Sequence, residues 1–375
     1  MARRGLNFKG GGTWRGGSCG EHLIRDGGTV KVYAAEARTA ASPVIVRPRA
    51  GDRFLRNIAI RLPLTYDAER LRSDLEATRP FERVPQFGVY HNGEWTGISL
   101  CAEGGDPFTT RTGIVPTGQP FAYTEVLQRT PYFRELLDEL RCPKRSVRLL
   151  HLPPGGRIER HSDPPLNFQH GILRLHLPIV THPDVVFVIG EQRCVWRAGE
   201  LWWGNFARPH SVYNGSPIER VHMVLDVEIT DFVLDLFPEA FRRTQADGGI
   251  SMHRAPITLS AEELAGFSCE VQIPAGTLPL PGLERGTLAR IHVDGQDLVM
   301  FLPDRPLFRL QPVAPAEFRV VGWSSGVTIR FALNGERVSE VELVIRGLPR
   351  TFLGEESADN PRLPVRTIPL QIRAT

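Results

Sequence analysis

The sequence predicts a mainly β protein of two domains, a β-sandwich or barrel followed by a smaller all-β accessory domain. Short runs rich in Val, Ile, Leu and aromatic residues recur between Val147 and Val227, punctuated by Pro and Gly. A second such series follows Pro256, with Asn334-Gly335 as a hairpin turn. At 375 residues the chain can supply two cores of ordinary size.

The elements follow in order. Residues 1–24, rich in Gly and Arg and without periodicity, are read as a flexible lead. The first domain, 25–247, opens with strands at 29–33, 44–46 and 58–62. Leu71 and Leu75, four residues apart, give residues 68–77 one apolar helical face, and a second helix spans 132–140, stopped by Pro143. Strands are predicted at 147–152, 172–179, 185–189, 193–196, 200–203 and 220–227, and a helix at 231–236 closes the domain. Residues 248–256 read as a linker or surface strap. The accessory domain, 257–375, is expected to hold strands at 268–273, 288–293, 298–302, 318–321, 327–333, 340–345 and 368–372.

Composition excludes several classes. A formal charge of +3 offers no strong field toward nucleic acid or anionic membrane, and the basic residues Arg3, Arg4, Lys9 and Arg15 come without stacking aromatics or a binding module. Five scattered cysteines, Cys19, Cys101, Cys142, Cys194 and Cys269, fit neither a disulfide framework nor a zinc knuckle. Without a signal-peptide core or an apolar run of about eighteen residues, a soluble protein of the reducing cytoplasm is expected.

The chemistry concentrates in HLPPGGRIERHSDPP, where His161 and Asp163 stand two apart. In an extended chain such side chains point the same way, so imidazole and carboxylate can reach one metal ion. NFARPHSVYNG offers His210 as a third ligand, shortly after GELWWGN. Two histidines and one carboxylate leave the remaining coordination positions open, as suits ferrous iron handling a 2-oxo acid and O2. Such a cosubstrate needs a cation at its far carboxylate, and a guanidinium matches it bidentately. Arg220 follows His210 after a turn containing Asn214, Gly215 and Pro217, which places the two on adjacent antiparallel strands. Arg174 and His176 share a strand face and are candidates for the metal-proximal carboxylate, and His222, sharing a face with Arg220, is a candidate substrate-binding residue. Trp196, Trp202 and Trp203 read as packing, and His170 and His182 are left without a role.

The succession LPPGGRIERHSD, RLHLPI, GELWWGN, HSVYNG and ERVHMVLDV, with EWTGISL upstream, resembles the aspartyl/asparaginyl β-hydroxylase family of 2-oxoglutarate dioxygenases, over roughly residues 80–238. The resemblance is to bacterial members, which include free-proline hydroxylases. It implies a double-stranded β-helix, or jelly roll, with His161, Asp163 and His210 as Fe(II) ligands, Arg174 and His176 near the 2-oxoglutarate carboxylate and Arg220 as its main anchor. The animal peptide hydroxylase of the family has Gly where this chain has Asp163, which weakens an epidermal-growth-factor-like substrate, and an Asp ligand argues against halogenation. The expected reaction is hydroxylation of a C–H bond of an amino acid, free or within a peptide or carrier-bound precursor. The alternatives are the same chemistry on a lipid acyl chain, a desaturation, or a non-catalytic cupin-like metal-binding module. The accessory domain is expected to bind a peptide or carrier protein, to form a homodimer, or to brace the jelly roll.

Overall fold

The computed structural model describes residues 58–86, 91–109, 119–163, 166–247, 249–275, 286–303, 307–321, 326–346 and 366–373. The Gly/Arg-rich lead and the strands expected at 29–33 and 44–46 lie outside the described residues. Within them no helix is long and apolar enough to cross a membrane.

The elements of the first region are β1 (Ala59–Thr65), α1 (Ala68–Ala77), β2 (Val84–Pro85), β3 (Thr96–Glu103), β4 (Phe121–Tyr123), α2 (Pro131–Glu139), β5 (Lys144–Leu152), β6 (Arg157–His161), β7 (Ile172–Val180), β8 (Val185–Ile189), β9 (Gln192–Arg193), β10 (Glu200–Gly204), β11 (His210–Asn214), β12 (Arg220–Glu228), α3 (Asp231–Asp235) and α4 (Glu239–Asp247). They form two antiparallel sheets. The larger, eight-stranded, runs β1-β10-β7-β12-β5-β3-β2 with β4 on β3, and the smaller runs β6-β11-β8-β9.

The centre of the larger sheet is buried on both faces, so alternation along β5, β7 and β12 separates two interiors and not inside from outside. Leu149, Leu173, Leu175, Leu177, Met223 and Leu225 pack toward Leu71 of α1 and Phe133 and Leu136 of α2. Each such side chain contributes about 1.5–3 kcal/mol by leaving water. The intervening residues, among them Arg148, Arg174, His176, Arg220 and Val224, face Ile158, Phe187 and Val212 of the smaller sheet. An apolar layer of Phe187, Ile189, Trp196, Phe206 and Val212 fills the rest of that space. The two helices are tied at one end: Thr130 makes no side-chain cap, and buried Asp74 of α1 accepts the Phe133 amide at 2.8 Å instead.

Glycines hold the GELWWGN segment in place. Gly199 adopts φ 83°, and a Cβ there would sit 2.2 Å from the Tyr66 carbonyl oxygen, whereas one on Gly204 would meet Phe206 Cζ at 2.8 Å.

The second region is a short helix α5 (Ala261–Ala265), opened by a Ser260/Glu263 capping box, then β13 (Cys269–Ile273), β14 (Thr287–Asp294), β15 (Asp297–Phe301), β16 (Phe308–Ala314), β17 (Glu317–Val320), β18 (Val327–Asn334), β19 (Arg337–Ile345) and β20 (Arg366–Ile372). These strands close into a barrel around Phe267, Phe318 and Phe331. Strand β16 is absent from the sequence-based expectation; it carries Pro312 at a register shift, where a residue without an N–H is tolerated.

Residues 249–257 are hydrogen-bonded to both regions: Ser251 and His253 donate to the Phe168 and Ile229 carbonyls, and Ile257 to that of Pro312. Beside this strap, Glu228 at the end of β12 accepts from His253 and from Arg319 Nη1 of β17 (3.0 Å), and Arg319 also donates to Gln311. Burial would raise the Glu228 carboxyl, but the His253 hydrogen bond, Arg319 and Arg145 bring it down to about 2. Its contribution to stability is therefore present above the ordinary carboxylate range and lost as pH falls toward 2. Arg319→Met should leave this carboxylate under-paired and cost about 1–3 kcal/mol at neutral pH, read as a lower urea midpoint. An unchanged midpoint would show that His253 and Arg145 suffice.

Candidate metal centre

His161 ends β6, His210 begins β11, and the two are direct cross-strand partners in the smaller sheet. Each ring is fixed by its own backbone: His161 Nδ1 lies 2.7 Å from the Glu159 carbonyl and His210 Nδ1 3.0 Å from that of Arg208. A carbonyl only accepts, so both Nδ1 atoms carry the proton and Nε2 is the ring nitrogen that can act as a metal ligand. Asp163, two residues past His161, is placed by its amide, which donates to Phe206 O at 2.9 Å. Its Oδ1 stands 3.7 Å from His161 Nε2 and its Oδ2 3.8 Å from His210 Nε2. Cis ligands at ordinary bond lengths are about 3 Å apart, so a small contraction would seat one divalent ion. The donor set, two imidazoles and one carboxylate, fits ferrous iron with positions to spare.

Charge around the triad is arranged in pairs. Burial would raise the Asp163 carboxyl, yet Arg174, His210 and His161 hold it below its ordinary range. Burial lowers His210, and Asp163 opposes that only in part, so the imidazole stays neutral as a ligand must. Arg174 bonds Asp226 through Nε (2.7 Å) and Nη2 (2.8 Å) and gives Nη1 to Asp163.

Arg220 is 3% exposed, lines the cavity that holds the triad, and has no carboxylate partner among the described residues. Its Nη2 donates to His222 Nδ1 at 2.9 Å, its Nε has no partner there, and burial pulls its pKa down to about 9. Because Arg can only donate, His222 is the neutral tautomer with Nδ1 as acceptor. His176 Nδ1 lies 3.3 Å from the same atom, and its ring stacks on Phe206 at 4.6 Å, with Trp196 and Phe187 completing an aromatic surround. Burial, reinforced by Arg220, pushes both imidazoles well below the usual histidine range.

The structure thus brings His161, Asp163, His210, Arg174, His176 and Arg220 to one cavity. Three details differ from the expectation raised by the sequence. β11 and β12 lie in opposite sheets and are not adjacent, because the turn between them crosses over, locked by Asn214 Nδ2 on the Leu152 and Ile218 carbonyls. Arg174 is held by two protein carboxylates. His222 is outside the cavity lining and supports Arg220 from behind. Of the histidines left without a role, His170 is buried beside Asn167, while His182 sits at the surface near Asp184. Trp203 packs in the helix-side core and Trp202 stacks on Trp196, in line with a packing role. Sequence reasoning missed Asp226; its only signal is period two, which puts it on the face of Arg220 and His222.

A triad of two histidines and a carboxylate between two facing sheets defines the class as a candidate non-haem metal protein. Residues 65–229 match the family model described as Aspartyl/Asparaginyl beta-hydroxylase. The chain is 26% identical over 186 residues to the L-proline cis-4-hydroxylase of Rhizobium meliloti (strain 1021), covering 48% of this chain and 61% of that protein. It is 24% identical over 230 residues to L-proline cis-3-hydroxylase 1 of a Streptomyces species, covering 59% and 73%. A solved oxidoreductase of the 2OG-Fe(II) oxygenase family from Burkholderia pseudomallei aligns with a TM-score of 0.33 at 13% identity, over 48% of this chain and 87% of that one.

The buried imidazoles set a pH dependence. Burial pulls His170 down to about 4, and His176 and His222 are also lowered, so the unfolded chain takes up these protons first as pH falls. Stability is expected to be full above about pH 6.5 and to decline toward about pH 4. Urea midpoints of metal-free protein should fall steadily from about pH 7 to about pH 5. A flat profile over that range would mean that the imidazoles charge in the folded state.

Proposed function

We propose that the chain is an Fe(II)- and 2-oxoglutarate-dependent dioxygenase that hydroxylates a C–H bond of an amino acid, free or within a peptide or carrier-bound precursor. The observation that carries the reading is the pairing of a three-donor cluster with a buried arginine that no described protein carboxylate meets. A module that merely holds a metal has no use for that arginine, whose burial is costly without a counter-charge. The two facing sheets are read as a double-stranded β-helix, and the proline hydroxylases among the relatives support an amino-acid substrate.

His161, Asp163 and His210 would hold the iron and Arg220 the far carboxylate of 2-oxoglutarate. An iron ion held there would supply O2 activation coupled to oxidative decarboxylation of 2-oxoglutarate, the overall products being succinate, CO2 and the hydroxylated substrate. The chain's own groups do the preparing. Backbone carbonyls keep both ligand rings in the Nδ1–H tautomer, and His222 steadies the guanidinium fork. Phe187, Phe206, Ile158 and Val212 give the cavity an apolar portion beside its charged groups, which would limit access of water to the reacting carbon.

Two measurements test this. Asp163→Ala and His210→Ala should each abolish 2-oxoglutarate-dependent succinate release while the sheets remain folded; full turnover in both under limiting iron would remove the triad. Arg220→Ala should weaken anaerobic 2-oxoglutarate binding by about 2–5 kcal/mol, roughly thirtyfold to several thousandfold, with iron affinity nearly unchanged. Lys should rescue only in part, because it keeps the charge and loses the fork. Wild-type 2-oxoglutarate affinity in the Ala variant would place the anchor elsewhere. Substrate class is read by screening amino acids and peptides for gain of one oxygen atom.

A further inference from the structure

Arg174 and Asp226 are direct cross-strand partners on β7 and β12. Asp226 is 1% exposed and takes the Nε/Nη2 edge of the guanidinium with both oxygens, at 2.7 and 2.8 Å. A planar fork held along one edge has its orientation fixed, so the direction of its remaining Nη1 is fixed too. Nη1 bonds Asp163 Oδ2. Asp163 itself lies beyond the end of β6 and is tied through its amide to Phe206, a bond that leaves carboxylate rotation open. Arg174 closes that freedom: it engages Oδ2 and leaves Oδ1 turned toward His161 Nε2, 3.7 Å away.

We propose that Asp226 is a positioning residue for the metal carboxylate, acting through Arg174; this rests on the reading of His161, Asp163 and His210 as the metal ligands. Its effect has two parts that point the same way. Bidentate anchoring orients Arg174, and so presents Asp163 in the donor geometry before metal arrives. The Asp226 charge also neutralises much of the Arg174 cation, so Asp163 faces a hydrogen-bond donor without the full positive charge that would compete with a metal ion. Arg148 Nη2 lies 3.6 Å from Asp226 Oδ2, so the aspartate stands between two cations and offsets part of the charge of each.

Asp226→Asn keeps the volume and one acceptor but removes the charge. In the full chain, with Co(II) as probe and its d–d absorption as readout, this variant should bind about 10–100-fold more weakly than wild type. Asp226→Glu should recover part of the loss. Arg174→Lys, which keeps the cation but cannot bridge two carboxylates, should show a loss similar to that of Asp226→Asn. His210→Ala is the control for the ligand reading. If it binds Co(II) like wild type, that reading fails whatever Asp226 does. If His210→Ala loses the ion while a folded Asp226→Asn keeps wild-type affinity, the ligands stand and the positioning role is overturned, leaving Asp226 as a structural counter-ion. Far-UV circular dichroism and the thermal midpoint of the metal-free protein separate the cases, because a purely structural role moves the midpoint and not the affinity of the folded protein. Should Asp226→Asn not fold, Arg174→Lys decides on the same readout: wild-type affinity there overturns the proposal.

Discussion

Charge enclosed between two sheets is the constraint around which the first region is organised. The larger sheet has no solvent face at its centre, so strand alternation must put its polar residues into a second interior. An unpaired ion there costs several kcal/mol. The structure meets this cost locally for most groups. Arg174 lies between Asp163 and Asp226, and Arg148 faces Asp226. His176 and His222 avoid it by remaining neutral. Arg220 is the exception, with a neutral imidazole as its side-chain contact and an aromatic face, that of Phe187, at 5.6 Å. A cation without a counter-charge among the described residues, set in an otherwise balanced interior, is selective by sign: it disfavours cationic and neutral occupants and rewards an anion.

The same interior explains why the triad is presented ready-made. Nothing in a histidine chooses which nitrogen carries the proton; the carbonyls of Glu159 and Arg208 choose it, each two residues back from its ring. Both contacts are local, so they persist as long as the ends of β6 and β11 keep their geometry. Those ends are paired with each other, and the bulge between His210 and Val212 turns the first residue of β11 toward its partner. Aromatic packing by Phe206 acts on both sides, stacking on His176 and meeting His210 edge-on at 5.1 Å. Gly204 gives that ring its room.

Much of this was legible in the sequence, for identifiable reasons. Strand β7 starts just after Gly171, β8 stops just before Gly190, and helix α1 shows its period, so these bounds could be read. The His161 and Asp163 pair was legible because period two is a local property. What could not be read is what depends on register or closure. Asp226 meets Arg174 only because β12 pairs with β7 in that register, and a lone aspartate in an apolar run does not announce its partner. The step from β11 to β12 looked like a hairpin because its turn residues are those of one; the crossing is decided by Asn214 reaching Leu152, sixty-two positions away. Closure of the barrel rests on β13 meeting β20 across almost the whole second region, which no local pattern encodes.

Strand β12 draws these threads together. Along the face that begins at Arg220, the polar side chains meet different parts of the structure. Arg220 reaches the cavity, His222 supports Arg220, Asp226 holds the fork of Arg174, and Glu228 meets the junction with the barrel. Pairing with β5 on one side and β7 on the other fixes the strand along nearly its whole length, so these positions cannot shift independently. The barrel enters this balance through Arg319, which supplies a cation to Glu228 two residues from Asp226. Without Arg319, Glu228 would turn to His253 and Arg145 alone, and a carboxylate held down to about 2 by the His253 hydrogen bond and two arginines would move up. The second region therefore completes the charge balance of the first at the strand that also carries the candidate site. That is a physical reason for the two to be joined by a hydrogen-bonded strap and not by a free linker.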